Sequence, residues 1–109
     1  MKVHLHLSGN DLAPSLQTLI EQHFRFAATP CSSALQEIHV TLSDVGNSVT
    51  GAVKRCEAVL FFRDGGSLKI RRQEARAERA VQRVAERIFR SLRNLRKRRR
   101  PGPGLSTVA

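Results

Sequence analysis

Val3, Leu5 and Leu7 alternate with Lys2, His4, His6 and Ser8, and a period of two predicts a strand with one buried face. The cluster Ser8-Gly9-Asn10-Asp11 ends it. Pro14 suits the first turn of a helix, where its missing N–H is not needed. Leu16, Leu19, Ile20, Phe24 and Ala27 then recur at helical spacing. This helix stops before Thr29-Pro30, because a residue preceding proline avoids the helical region, and residues 31–33 form a loop. Ile38, Val40 and Leu42 alternate with Glu37, His39 and Thr41 in a second strand. Residues 44–51 hold Gly46, Asn47, Ser48 and Gly51 with little that is apolar, and read as a mobile hairpin loop. Cys56, Ala58, Leu60 and Phe62 alternate with Arg55, Glu57, Val59, Phe61 and Arg63 in a third strand. Apolar residues stand on both of its faces, so the pattern leaves its inner face unassigned. Asp64-Gly65-Gly66 is a tight hairpin turn, and residues 67–72 make a short fourth strand with Leu68 and Ile70 on one face.

The pattern then changes to one long helix over residues 73–99. Ala77, Ala80, Val81, Val84, Ala85, Ile88, Leu92 and Leu95 form a continuous apolar stripe, and its early alanines allow close approach to a sheet. A helix of that length exceeds the width of a small sheet, so its last turns are expected to project into solvent. Pro101-Gly102-Pro103-Gly104 ends it. Residues 1–100 are expected to form one domain and residues 101–109 a disordered tail. The order β-α-β-β-β-α predicts an α+β fold: a four-stranded mixed sheet with two helices on one face. The first helix permits a parallel crossover from strand one to strand two, and strands two to four form an antiparallel meander.

Charge is distributed against this frame very unevenly. Residues 71–109 hold thirteen Arg and Lys against three Glu, whereas residues 1–70 hold six basic and six acidic residues. The whole net charge of +10 therefore belongs to the last third. A neutral body carrying one strongly basic helix is the electrostatic footprint of a polyanion binder, and nucleic acid is the default polyanion. Trp and Tyr are absent and Phe supplies all five aromatics, which argues against recognition by stacking on unpaired bases. No run approaches the length of a membrane span or a signal peptide, and the chain reads as cytoplasmic.

On the last helix Arg76, Arg79, Arg83, Arg87 and Arg90 recur at intervals of three or four and share one face, roughly 140° around the helix from the apolar stripe. Arg93, Arg96, Lys97, Arg98, Arg99 and Arg100 extend the charge. Glu74, Glu78 and Glu86 are too few to pair it. A solvated face or a membrane-surface helix would also be basic. Arginine matches phosphate bidentately, however, and the alanine-rich apolar side lacks the bulky load that insertion needs. Lys54, Arg55, Lys69 and Arg72, with Arg63 and Arg71, either extend this surface or are ordinary edge-strand charge. The RNA-contact set is therefore Lys54, Arg55, Lys69, Arg72, Arg76, Arg79, Arg83, Arg87, Arg90, Arg93 and Lys97. A helix-borne phosphate grip gives affinity with little sequence readout, which favours the shape of a folded RNA. A protein that docks on an acidic partner would use the same charge.

Other chemistry is sparse. His4 and His6 share a strand face and His39 is expected on the same outer face of a neighbouring strand; they read as exposed imidazoles, with no metal or other cofactor assigned. His23 reads as a partly buried structural residue of the first helix. Cys31 and Cys56 have no C-x-x-C spacing and read as reduced thiols. Cys56 follows Lys54 and Arg55, which would lower its pKa, although strand packing accounts for it as well. No Gly-rich phosphate loop, paired acids at a cleft or Ser-His-Asp order points to an enzyme.

The central stretch Val40-Thr41-Leu42-Ser43-Asp44-Val45, a Gly-containing loop and then Lys54-Arg55-Cys56 resembles the ribosome hibernation factor family, also called ribosome-associated inhibitor or sigma-54 modulation proteins. Arg79-Ala80-Val81-Gln82-Arg83-Val84 is similar to that family's Ala-Ile-Asp helix motif, and the likeness covers residues 2–99. It implies a translation inhibitor that occupies the small ribosomal subunit near the decoding centre. Lys54 and Arg55, with Arg76, Arg79, Arg83, Arg87 and Arg90, would face ribosomal RNA. The chain resembles the short forms, which carry no C-terminal dimerisation domain, and its oligomeric state stays open. Val53 and Gln82 stand where the family usually has Asp, the tyrosine often found before the Ala-Ile segment is missing, and the first helix carries only Arg25 as a basic residue. A stand-alone module for other structured RNA remains the second reading.

Overall fold

The computed structural model describes residues 1–8, 14–47 and 51–98. The tail over residues 101–109 and the hairpin apex at residues 48–50 lie outside the described residues. The order is β1 (Lys2–Ser8), α1 (Pro14–Ala27), a short 3-10 turn (Thr29–Cys31), β2 (Leu35–Asn47), β3 (Gly51–Phe62), β4 (Ser67–Glu74) and α2 (Ala77–Arg98). The strands form one sheet in the order β1-β2-β3-β4. β1 runs parallel to β2, while β2/β3 and β3/β4 are antiparallel. This is the α+β mixed sheet that the alternation predicts, with α1 crossing over between the parallel strands.

The register settles the face that the sequence leaves open. Ile38 stands opposite Leu60, Val40 opposite Ala58 and Leu42 opposite Cys56; all six side chains are fully buried. Cys56, Ala58, Leu60 and Phe62 therefore form the inner face of β3. Both helices cover this side, with Ile20, Phe24 and Ala27 from α1 and Ala80, Val81, Val84, Ile88 and Leu92 from α2 completing the core. Each buried Val, Leu, Ile or Phe contributes about 1.5–3 kcal/mol relative to exposure, and among the described residues no polar or charged side chain is buried with them.

Two boundaries differ from the sequence pattern. Most of the expected loop over residues 44–51 is strand, since Asp44 pairs with Lys54 and Val45 with Val53, and the ladder runs on to Asn47 and Gly51. Backbone pairing propagates along the hairpin irrespective of the polar side chains. Secondly, β4 continues to Glu74 because Gln73 and Glu74 pair with Arg55 and Lys54. The helix consequently starts at Ala77 rather than residue 73, and the Arg76 carbonyl accepts the Ala80 N–H at 3.1 Å.

The end of α2 is also more tightly held than its length suggests. Leu92 is fully buried and Leu95 half-buried against the core. The Cys31 thiol donates to the Leu92 carbonyl at 3.4 Å, so the 3-10 turn after α1 holds the helix at that level. At the same sheet end, where the Arg63 N–H donates to the Ala34 carbonyl at 2.9 Å, Asp64-Gly65-Gly66 makes the β3–β4 turn. Gly65 has φ 99°, a conformation glycine adopts without Cβ strain, and the Asp64 carboxylate accepts the Gly66 N–H at 3.0 Å.

Candidate nucleic-acid interface

α2 places its apolar stripe on β3, β4 and α1 and turns the opposite side to solvent. Arg79, Arg83, Arg87, Arg90, Arg93 and Lys97 are all exposed, and their three- and four-residue spacing keeps them on one helix face. Arg76 is exposed as well but sits on the bend before α2 rather than within it. Among the described residues, none of these seven has a carboxylate partner within ion-pair distance; the ion pairs there lie on the strands. Arg93 stands over the Phe89 ring, 5.8 Å from its centroid, and Phe89 stacks on Phe26 of α1. The result is a row of guanidinium-bearing side chains about 4.5–6 Å apart along the helix axis, without a carboxylate partner among the described residues.

The four strand cations divide between the two faces of the sheet. Lys54 and Arg72 have the inward parity of Cys56 and Ile70, but lie toward the strand ends. Lys54 is ion-paired with Asp44 across the hairpin, and Arg72 is exposed and donates to the Arg71 carbonyl at 3.0 Å. Arg55 and Lys69 point to the open face, away from α2, as their pairing with Gln73 and Val59 requires. With its amide turned to accept, Gln73 takes hydrogen bonds of 3.0 and 3.3 Å from Arg55. The adjacent pair Lys54-Arg55 is thus split by the sheet. Arg72 lies on the helix side of the sheet, and Arg55, Lys69 and Arg71 lie on the other.

The open face carries the histidines together at its β1–β2 end. His4 lies directly opposite His39, and their rings stack with centroids 4.4 Å apart. His6 lies beside His39 with its ring plane within 5° and its centroid 5.5 Å away. Glu37, two residues before His39 on the same strand face, joins them: its carboxylate meets His4 Nε2 at 2.9 Å and His39 Nε2 at 3.1 Å. The hydrogen bond from His39 holds the Glu37 carboxyl below its usual pKa. The sequence reading gathers the three histidines and misses Glu37; the signal is Glu37-x-His39, which places both on one face of β2. Cys56 goes the other way from an activated thiol. Burial, with a smaller contribution from Glu57, pushes its pKa up to about 12. Lys54 and Arg55 do not reverse this, because the thiol faces the core.

The arginine-lined face of α2 has no carboxylate partner among the described residues, and the fold that carries it matches a known family. The chain belongs to the Sigma 54 modulation protein / S30EA ribosomal protein family, which matches residues 3–100. This is a ribosome-associated family of modulation and hibernation factors. Among solved structures, a ribosomal subunit interface protein from Coxiella burnetii is similar, with a TM-score of 0.73 at 18% identity over 89% of this chain and 99% of that one. The N-terminal domain of Protein Y from Thermus thermophilus is similar with a TM-score of 0.69 at 14% identity, covering 87% of this chain and 99% of that one. At these identities the likeness establishes the fold. Among curated protein sequences none matches the chain. No helix among the described residues is long and apolar enough to cross a membrane.

Proposed function

We propose that this protein is a translation inhibitor of the hibernation type that binds ribosomal RNA of the small subunit through the outward face of α2, within a domain spanning residues 1–100 and acting in the cytoplasm. The observation that carries this reading is the exposed row Arg79, Arg83, Arg87 and Arg90, which has no carboxylate partner among the described residues. Like charges at three- and four-residue spacing destabilise a helix slightly, so the row is a cost to folding that an anionic partner offsets. Arg72, Arg76, Arg93 and Lys97 extend the grip. Arg55 and Lys69 form a second patch across the sheet, and Lys54 supports the hairpin through Asp44. Family membership supplies the ribosome as the partner, and the helix surface supplies the phosphate contacts.

Sedimentation with isolated ribosomal subunits at low and moderate salt tests the reading. The expected result is saturable one-to-one pelleting with the small subunit, lost in the Arg83→Glu/Arg87→Glu variant. Pelleting with neither subunit, alongside retained binding to other structured RNA or to an acidic protein, would assign the same surface to a different partner.

A further inference from the structure

The open sheet face holds a constellation that the RNA surface does not use. His4, Glu37 and His39 each offer one ligand atom, and these three atoms lie within 4.8 Å of one another. His4 Nε2 and His39 Nε2 converge on the same carboxylate oxygen, at 2.9 and 3.1 Å. Two ligands bound to a tetrahedral zinc ion at its usual bond lengths stand about 3.4 Å apart. Each nitrogen therefore needs to move from the carboxylate oxygen by only a few tenths of an ångström to share an ion with it. We infer that His4, Glu37 and His39 form a binding site for a zinc-class divalent transition metal, bridging β1 to β2 on the face opposite the helices.

The strand positions favour this. The His4 and His39 rings stack 12° from parallel, and rotation of each ring about its Cβ–Cγ bond turns its Nε2 lone pair onto an ion beside Glu37. Both histidines and Glu37 sit on paired strands rather than on loops, which fixes their positions. The other nitrogen of His39 is already engaged: its Nδ1 lies 3.2 Å from His6 Nε2. A ligating imidazole requires this kind of outer hydrogen bond to fix its tautomer and orientation. With metal on Nε2, His39 keeps its proton on Nδ1 and donates it to His6 Nε2. His4 Nε2 is sealed from solvent, while the rest of the site faces outward, leaving the remaining coordination position for water or a donor from a partner. Two imidazoles and one carboxylate suit Zn²⁺, Ni²⁺ or Cu²⁺, whereas Mg²⁺ and Ca²⁺ prefer all-oxygen sites. The carboxylate supplies the negative charge that a cation needs on a protein of net charge +10.

Isothermal titration of the full chain with zinc chloride decides the matter, repeated with Co²⁺ for its visible absorption. One equivalent should bind in the micromolar range. His4→Ala, His39→Ala and Glu37→Gln should each weaken binding at least tenfold, and His6→Ala should weaken it less, as befits a positioning residue. His23→Ala, on α1, should bind as the parent does. Should His39→Ala fail to fold by circular dichroism, the near-isosteric Glu37→Gln carries the test. Binding that survives Glu37→Gln and His4→Ala unchanged, millimolar affinity, or a sulfur charge-transfer band with Co²⁺ would overturn the assignment.

Discussion

Phe26 of α1 and Phe89 of α2 stack with ring centroids 6.0 Å apart and planes 2° from parallel, although Phe26 is 70% exposed. The stack braces the two helices outside the core, at the level where Arg93 covers the other ring. A parallel aromatic pair contributes about 0.5–1.5 kcal/mol beyond its buried area. A double-mutant cycle with Phe26→Ala and Phe89→Ala, followed by urea unfolding, should return a coupling energy in that range. Phe89→Ala, being the more buried, should be the costlier single change. Zero coupling would show that the rings merely lie side by side.

The helix row makes a direct prediction for binding. Arg83 and Arg87 are exposed, so Arg83→Glu/Arg87→Glu should melt as the parent protein does. A hydrogen bond to a charged group is worth about 1.5–3 kcal/mol, so losing two should weaken RNA binding by about a hundredfold or more. Fluorescence anisotropy with a small-subunit RNA fragment measures it. Near-parental affinity would remove this face from the interface.

Salt dependence separates the helix row from the patch across the sheet. Binding through about six phosphates gives a log–log slope of roughly −4 to −5. Each helix arginine changed to alanine should lower the magnitude of that slope by about 1. Lys69→Ala and Arg55→Ala should change it less, since both side chains leave the opposite side of the sheet. Equal effects from both sets would mean that the RNA wraps the edge at β4.

Val84 tests the packing that holds the row in place. It is fully buried on the inward side of α2, one position from exposed Arg83. Val84→Asp places an unpaired carboxylate in the core, a change costing about 3–5 kcal/mol or forcing protonation. The variant should be unfolded or strongly destabilised by circular dichroism at neutral pH. A Gln82→Asp control, on the exposed face, should fold normally.

The two periodicities carried most of the fold in the sequence. Val3, Leu5 and Leu7, and then Ile38, Val40 and Leu42, announce buried strand faces by alternation, while Pro14 and Thr29-Pro30 bracket α1. What stayed hidden depends on backbone pairing. Asp44 to Asn47 reads as loop because glycine and polar side chains mark turns, yet the β2–β3 ladder continues through it. Gln73 and Glu74 are good helix formers, but their pairing with Arg55 and Lys54 outweighs that preference. The same alternation that found the strands also separates Lys54 from Arg55, which adjacency in sequence had joined. Glu37 escaped because histidines alone were gathered; its partnership with His4 depends on the parallel register of β1 and β2.

Cys56 gives the protein a specific alkaline sensitivity. Its thiol is fully buried between β2 and β4 on the inner face, and burial raises its pKa from 9.0 to about 12. The folded state therefore favours the neutral thiol, while the unfolded chain ionises near the ordinary value. Below pH 9 both states hold the proton and stability is unaffected. Between pH 9 and about 12 the unfolded state releases it first, so stability falls as pH rises, by up to about 1.4 kcal/mol per pH unit from this group. Alkaline titrations elsewhere in the chain are common to a Cys56→Ala variant, which lacks only this thiol. The stability difference between parent and variant, from urea midpoints at pH 8, 9.5 and 10.5, should shift progressively toward the variant. The parent should also resist iodoacetamide at Cys56 when folded at pH 8 and react once unfolded. A difference that is flat with pH, or rapid alkylation of the folded protein, would show that the thiol ionises in place.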